Sequence, residues 1–395
     1  MFDPTLNPIK ETTYEFLAVF LAEMAGLFPD AYIHIGGDEN EGKHWDANAE
    51  IQAFMKEKGI KDNHELQTYF NKRILKILKK HGKTMMGWDE IFQPDLPKDV
   101  VVHSWRGQKA LAESARQGYF GVLSNGYYID LLHPASSHYV VDPIPEDSTL
   151  TAEEKKRILG GEATMWSEWV SPETIDSRIW PRTAAIAERF WSDGSVKNVD
   201  DMYRRLETVS IQLEELGLTH RRNRAMMLRR LLQSADISDL ETLVSVIEPV
   251  KQYRRYQQRK QTMLSPLTGL IDAAGADAKG AREFRKIAKE FSKGNSKEVV
   301  ARLEGIFMGW RYAGIRLKPQ MEVNASLHEA KALARELQKL GEIGLNVLKI
   351  KWTEAETEDW RKDTLAELDR IAKPKPSAVE FVVIEDLKGM INSTN

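Results

Sequence analysis

Apolar residues recur at helical spacing early in the chain, at Leu17, Phe20, Leu21, Met24 and Phe28, and predict an amphipathic helix. Thr12 followed three residues later by Glu15 reads as the capping box that starts it. The pattern then contracts to Tyr32-Ile33-His34-Ile35, a short strand ending in Gly36-Gly37. A second helical stripe, Leu66, Phe70, Ile74 and Ile77, stops at Gly82. Strand patterns follow at 84–88, 100–105 and 119–124, with a helix at 109–117 before the third. A longer loop leads to a last strand at 158–166, and a helix at 173–191 closes the series. Strands that alternate with helices predict a parallel sheet wrapped by helices.

From about residue 196 the texture changes to helix patterns, for example 199–216, 239–262, 281–292 and 322–350. Pro266, Gly275, Gly280 and Pro319 punctuate them. No repeat of fixed period and no low-complexity stretch occurs. The expected organisation is a barrel-like part over 1–195 and an α-helical region over 196–395, with residues 220–395 expected to take no part in the chemistry of the front.

Composition narrows the classes. A chain of 395 residues with 42% hydrophobic and 29% charged residues has the make-up of a folded globular protein. No apolar run is long enough to span a membrane, and Met1-Phe2-Asp3-Pro4 has neither the basic nor the apolar segment of a signal peptide. The absence of cysteine rules out disulfides and thiolate metal sites but leaves the compartment unassigned. Residues 1–195 hold 21 basic against 30 acidic side chains, which does not suit a binder of nucleic-acid phosphates. Residues 196–395 hold 35 against 29, interleaved at helical spacing, which reads as solvated helix surface. The nine histidines show no ligand spacing, so neither a metal nor a cofactor is expected.

Candidate chemistry collects where predicted strands give way to loops. Asp38-Glu39, Trp88, Trp105, Tyr128 with Asp130, and Trp166 with Glu168 all stand at such points. In a barrel of alternating strands and helices that end of the sheet is where active sites form. Two glycines before Asp38 let the strand turn abruptly and present neighbouring carboxylates. An isolated Asp-Glu pair is usually a solvated turn; the apolar strand directly ahead of this one favours function. Indole rings pack against the CH-rich faces of sugars, and three of them beside carboxylates favour a carbohydrate site over simple core packing. Trp180 and Trp191 read as core. Carboxylates such as Asp130 and Glu168 accept hydrogen bonds from sugar hydroxyls, with ion pairs to Arg106, Arg178 or Arg182 as the structural alternative. For Glu162 the structural role is preferred.

These residues resemble a known family. The run His34-Ile35-Gly36-Gly37-Asp38-Glu39 is similar to the signature of family 20 glycoside hydrolases, the β-N-acetylhexosaminidases. Gly87-Trp88-Asp89-Glu90, His103-Ser104-Trp105-Arg106-Gly107, Tyr128-Ile129-Asp130 and Gly160-Gly161-Glu162-Ala163-Thr164-Met165-Trp166-Ser167-Glu168 resemble its later barrel strands in order. Ser177-Arg178-Ile179-Trp180-Pro181-Arg182 and Ala187-Glu188-Arg189 resemble its last barrel helix. The resemblance covers about residues 3–218. It implies Glu39 as general acid/base, and Asp38 as the group that orients the substrate's 2-acetamido arm and stabilises its developing charge. It implies Trp88, Trp105 and Trp166 as pocket walls, Tyr128 as a donor to the acetamido oxygen, and Asp130 and Glu168 as holders of ring hydroxyls. His34 falls behind the acid as a supporting residue. One pocket tryptophan of the family has no counterpart, and Tyr139 is the residue offered for its place.

The resemblance also implies three further strands before Tyr32, bearing an arginine that grips hydroxyls and an aspartate and histidine that support the acid. About thirty residues precede that strand here, room for one helix. The expected fold is therefore a partial (β/α)₈ barrel of about five βα units followed by an all-α region. The expected activity is hydrolysis of terminal β-linked N-acetylglucosamine or N-acetylgalactosamine, weak or absent without the missing strands. The expected partner is a glycan or amino-sugar glycoside, with no nucleic acid or membrane. Self-association through the open side is expected unless the rear helices cover it. The rival readings are a glycan-binding remnant without turnover and a helical interaction protein with a vestigial front.

Overall fold

The computed structural model describes residues 5–93, 96–258, 260–294, 296–349 and 354–393. They form two compact units, one of residues up to 127 with 141–164, the other of 128–140 with 165 onward.

The first unit holds a five-stranded parallel sheet in the order β1 (Tyr32–His34), β2 (Thr84–Trp88), β3 (Val101–Ser104), β4 (Phe120–Leu123) and β5 (Ile158–Gly161). Sequential strands are spatial neighbours throughout, as successive βα units require. The register pairs Tyr32 with Thr84, Met86 with Val101, Val101 with Phe120 and Gly121 with Ile158. Strands β2 and β3 are almost wholly buried, the mark of a parallel sheet covered on both faces, although β3 carries buried His103 and Ser104. Helix Asn63–Lys80 covers the front of the sheet. Asp62 caps it through the Glu65 amide, and Leu66, Ile74, Leu75, Ile77 and Leu78 are buried. Burying each such side chain contributes roughly 1.5–3 kcal/mol.

Helix Glu11–Leu27 departs from the expected pattern at both ends. It begins one residue before Thr12, with Lys10 at the N-cap and no side-chain cap, so the Thr12–Glu15 capping box does not form. Thr13 Oγ1 instead donates to the Asn7 carbonyl at 3.0 Å. Tyr14 and Leu21 are buried with Leu17 and Ala18 alongside, while Phe16, Val19, Phe20 and Leu27 stay exposed. The helix is apolar on two faces and packs with one.

The second unit is helical, as expected, with one addition. A two-stranded antiparallel sheet pairs β6 (Ile247–Pro249) with β7 (Val379–Phe381) and interrupts the helix anticipated over 239–262. The closing helix splits into Ile175–Ile179 and Arg182–Trp191 around Trp180 and Pro181, where proline removes a backbone donor. Pro319 does not punctuate but lies inside helix Lys297–Val323. That helix packs along Lys331–Val347 at a glycine seam. A Cβ at Gly314 would stand 2.5 Å from the Ala334 carbonyl oxygen, and one at Gly344 2.2 Å from the Phe307 ring. Among the described residues no helix is long and apolar enough to cross a membrane.

Candidate active site

In the first unit the chemistry begins where β1 ends. Gly36 and Gly37 take φ of +74° and +93°, and a Cβ at Gly37 would come within 2.6 Å of Ile91. Only glycine makes this turn at no cost. Gln67 Nε2 holds the turn from the helix side by donating to the Gly37 carbonyl at 2.7 Å. Asp38 follows half-buried, and Glu39 is exposed with φ of +49°, a left-handed conformation that non-glycine residues adopt at a cost.

His34 is tied to this turn. Its Nδ1 accepts the Gly36 amide hydrogen at 3.0 Å, so its proton sits on Nε2, 3.2 Å from His103 Nδ1. His103 is fully buried and then carries its own proton on Nε2, which has no partner among the described residues. Desolvation holds both rings neutral: it lowers His34 against the pull of Asp38, and takes His103 down to about 3 with His34 adding to the effect. Trp88 stacks on His103 at 4.2 Å and meets His34 edge-on at 4.9 Å, so its indole is mostly buried. Trp105 is half-buried, with its indole N–H donating to both carboxylate oxygens of Glu90 at 3.1 and 3.0 Å. Desolvation raises Glu90 above the usual range, and the indole hydrogen bond opposes it.

The second unit carries the other set. Tyr128 and Trp166 face each other with ring centroids 6.5 Å apart. Asp130 is half-buried, and its Oδ1 has no hydrogen-bond partner among the described residues. Burial raises its carboxyl to about 6, Glu168 adds repulsion, and the Trp166 amide and Arg182 pull the other way. Glu168 and Trp166 are exposed.

The arginines expected as ion-pair partners are engaged elsewhere. Arg106 binds buried Asp89 at 2.7 Å. Arg178 faces Asp272 at 3.9 Å, and Arg182 donates to the carbonyls of Ile129 and His133 at 2.9 and 2.7 Å. Glu162 forms no ion pair among the described residues, and desolvation raises its carboxyl. Tyr139 is the residue offered for the place of a pocket tryptophan. It is fully buried, and its hydroxyl donates to Glu188 at 2.6 Å. Sequence reasoning quoted Glu90 without giving it a role; its position directly after Trp88 is the one local signal for it.

In the first unit carboxylates and indoles thus stand after the C-terminal ends of consecutive parallel strands, the end of such a sheet where active sites form. Residues 1–194 match the profile described as glycosyl hydrolase family 20, catalytic domain, and this part of the chain belongs to that family. The chain is similar to the chitobiase of Flavobacterium johnsoniae, with 42% identity over 99% of this chain and 60% of that one and a TM-score of 0.91. That likeness runs through the helical rear as well. The exo-β-N-acetylglucosaminidase of Vibrio harveyi, solved with N-acetylglucosamine, is 31% identical over 55% of this chain and 37% of its own, with a TM-score of 0.51. Beta-hexosaminidase subunit beta of Felis catus is 34% identical over 54% of this chain and 42% of its own. The chain thus spans less than two thirds of the length of these relatives.

Proposed function

We propose that the protein hydrolyses terminal β-linked N-acetylglucosamine or N-acetylgalactosamine with retention, using the substrate's acetamido group as nucleophile. The observation that carries this reading is the adjacency of Asp38 and exposed Glu39 at the end of β1, the latter held left-handed. A retaining glycosidase with an enzyme nucleophile needs carboxyl groups about 5–5.5 Å apart on opposite sides of the scissile bond. Chain neighbours, with Cα atoms about 3.8 Å apart, are poorly placed to flank a bond in that way. They suit a reaction in which both act on one face. Glu39 gives its proton to the leaving oxygen while the acetamido oxygen attacks the anomeric carbon, closing an oxazolinium ring. Asp38 accepts the acetamido N–H and offsets the positive charge. Glu39, now ionised, takes a proton from water as that water opens the ring.

In the same reading Trp88, Trp105 and Trp166 are each sugar-binding residues, with Trp105 fixed by Glu90. Tyr128 donates to the acetamido oxygen, and His34 steadies the turn through Gly36. The partnerless Oδ1 of Asp130 is an acceptor in need of a donor, and with Glu168 it takes ring hydroxyls. The domain reading remains a barrel part over 1–195 followed by a helical region over 196–395.

Replacing Glu39 with glutamine in a protein carrying the complete barrel is expected to slow hydrolysis of substrates with poor leaving groups by about 10²–10⁴-fold. Activated aryl glycosides should be spared in their first step. Asp38→Asn should harm both substrate types, since it acts on the nucleophile. Equal losses for both variants on an activated aryl glycoside would contradict the assigned roles.

A further inference from the structure

One stretch of the helical region, residues 251–256, meets the chain beside each of the two carboxylates assigned to ring hydroxyls. The Gln252 amide donates to the Leu131 carbonyl at 3.0 Å, one residue past Asp130. Gln252 is held at φ of +56° in doing so. Four residues on, the Tyr256 ring packs on Trp169, the residue after Glu168, with centroids 4.5 Å apart. Tyr253 lies alongside Tyr256 at 6.4 Å, the two rings inclined by 29°.

The placement is braced from below. Arg255 lies over Trp169 at 4.5 Å and donates to buried Asp272 at 2.7 Å and to Gln261 at 2.9 Å. Asp272 also faces Arg178. A buried guanidinium paired with a buried carboxylate fixes direction as well as charge. Trp169 is therefore contacted by both Arg255 and Tyr256, while Tyr256 and Tyr253 each remain 50% exposed. Burial raises the Tyr256 phenol, and the Glu168 carboxylate acts on it in the same sense, which places the two groups within electrostatic reach.

We infer that Tyr256, supplied by the helical region, is a specificity-determining residue that contacts the hydroxyl-bearing edge of the terminal sugar beside Glu168. This rests on the proposed assignment of Glu168 and Asp130 to ring hydroxyls. An exposed phenol on an immobilised indole offers a flat face to the sugar's CH groups and an O–H to a hydroxyl. N-acetylglucosamine and N-acetylgalactosamine differ only in the direction of one such hydroxyl, so a group at that edge bears on the choice between them. A site that hydrogen-bonds a hydroxyl discriminates strongly because a misplaced one leaves buried polar groups unpaired.

The test is sugar binding by the 395-residue chain, followed by tryptophan fluorescence for N-acetylglucosamine and N-acetylgalactosamine. Wild type is compared with Tyr256→Ala, Tyr256→Phe and Glu168→Gln, each checked for fold by circular dichroism. Tyr256→Ala is expected to weaken binding of the preferred sugar about tenfold, or 1.4 kcal/mol. Tyr256→Phe keeps the ring and should change the ratio of the two affinities at least about threefold. A purely structural role would leave that ratio unchanged. Should Glu168→Gln weaken binding while both Tyr256 variants match wild type within about twofold, the inference is wrong and the assignment of Glu168 stands. If Glu168→Gln or the wild type shows that Glu168 does not contribute to sugar binding, the assignment and the inference fall together.

Discussion

In the proposed site, the buried oxygen of Asp130 would tie sugar binding to pH. Its carboxyl rises from 3.8 to about 6 in the fold, chiefly through desolvation. A carboxyl raised in this way binds its proton more tightly folded than unfolded. Its burial is then free of cost below pH 3.8, increasingly costly between 3.8 and 6, and fully costly above 6. Only the ionised form offers all its lone pairs to donors. Affinity for N-acetylglucosamine is therefore expected to increase as pH rises from 5 to 7, with a midpoint near 6, and Asp130→Asn should abolish that component. The same substitution should raise the melting temperature at pH 7 more than at pH 3.5; an equal change at both would show that ionised Asp130 carries no burial penalty. Asp130, like Asp38 and Glu39, follows an apolar strand pattern and was picked out in the sequence for that reason. Tyr256 was not, because its relation to Glu168 depends on contacts between residues far apart in the chain.

At the level of elements, apolar spacing located the five strands to within a few residues but misjudged continuity. The closing helix breaks at Pro181, yet helix Lys297–Val323 runs through Pro319, four residues from its end. Proline there forfeits a single helix hydrogen bond, and packing against Lys331–Val347 outweighs the loss. The β6–β7 pair escaped notice because each strand is three residues long and its partner lies over a hundred residues away. Likewise the glycine seam is written as ordinary helix glycines until the neighbouring helix is in place. Gly344→Ala would press a methyl group onto the Phe307 ring, and an overpacked core typically loses about 1–3 kcal/mol. A urea midpoint lowered accordingly, against a slightly raised midpoint for Gly305→Ala at an open helix position, is the expected pair of results.

For the whole molecule, the first unit's sheet has unpaired edges and an apolar flank. Strand β1 has β2 as its one neighbour in the sheet. The helix before it exposes Phe16 (63%), Val19 (62%) and Leu27 (70%). Open strand edges and contiguous apolar surface both promote association. The 395-residue chain by itself is expected to elute from size exclusion above its monomer mass, and Phe16→Glu with Val19→Lys to shift it toward monomer. A monodisperse monomer of the unmodified chain at tens of micromolar would show that these surfaces are not adhesive.

The second unit also has an order of assembly in time. Its short first piece, residues 128–140, includes Asp130, while the groups that secure it come much later. Ala135 gives its amide hydrogen to Asp277 at a separation of 142 residues, and the Leu131 carbonyl waits for Gln252. At a synthesis rate of about 5–20 residues per second, the ribosome needs roughly ten to thirty seconds to deliver those partners. Through that interval the segment bearing Asp130 and Tyr128 has at most Arg182, Glu188 and Tyr203 to hold it, and lacks the anchors at Gln252 and Asp277. Translation speed between residues 140 and 277 thus sets how long the nascent chain depends on chaperones to keep this piece unentangled.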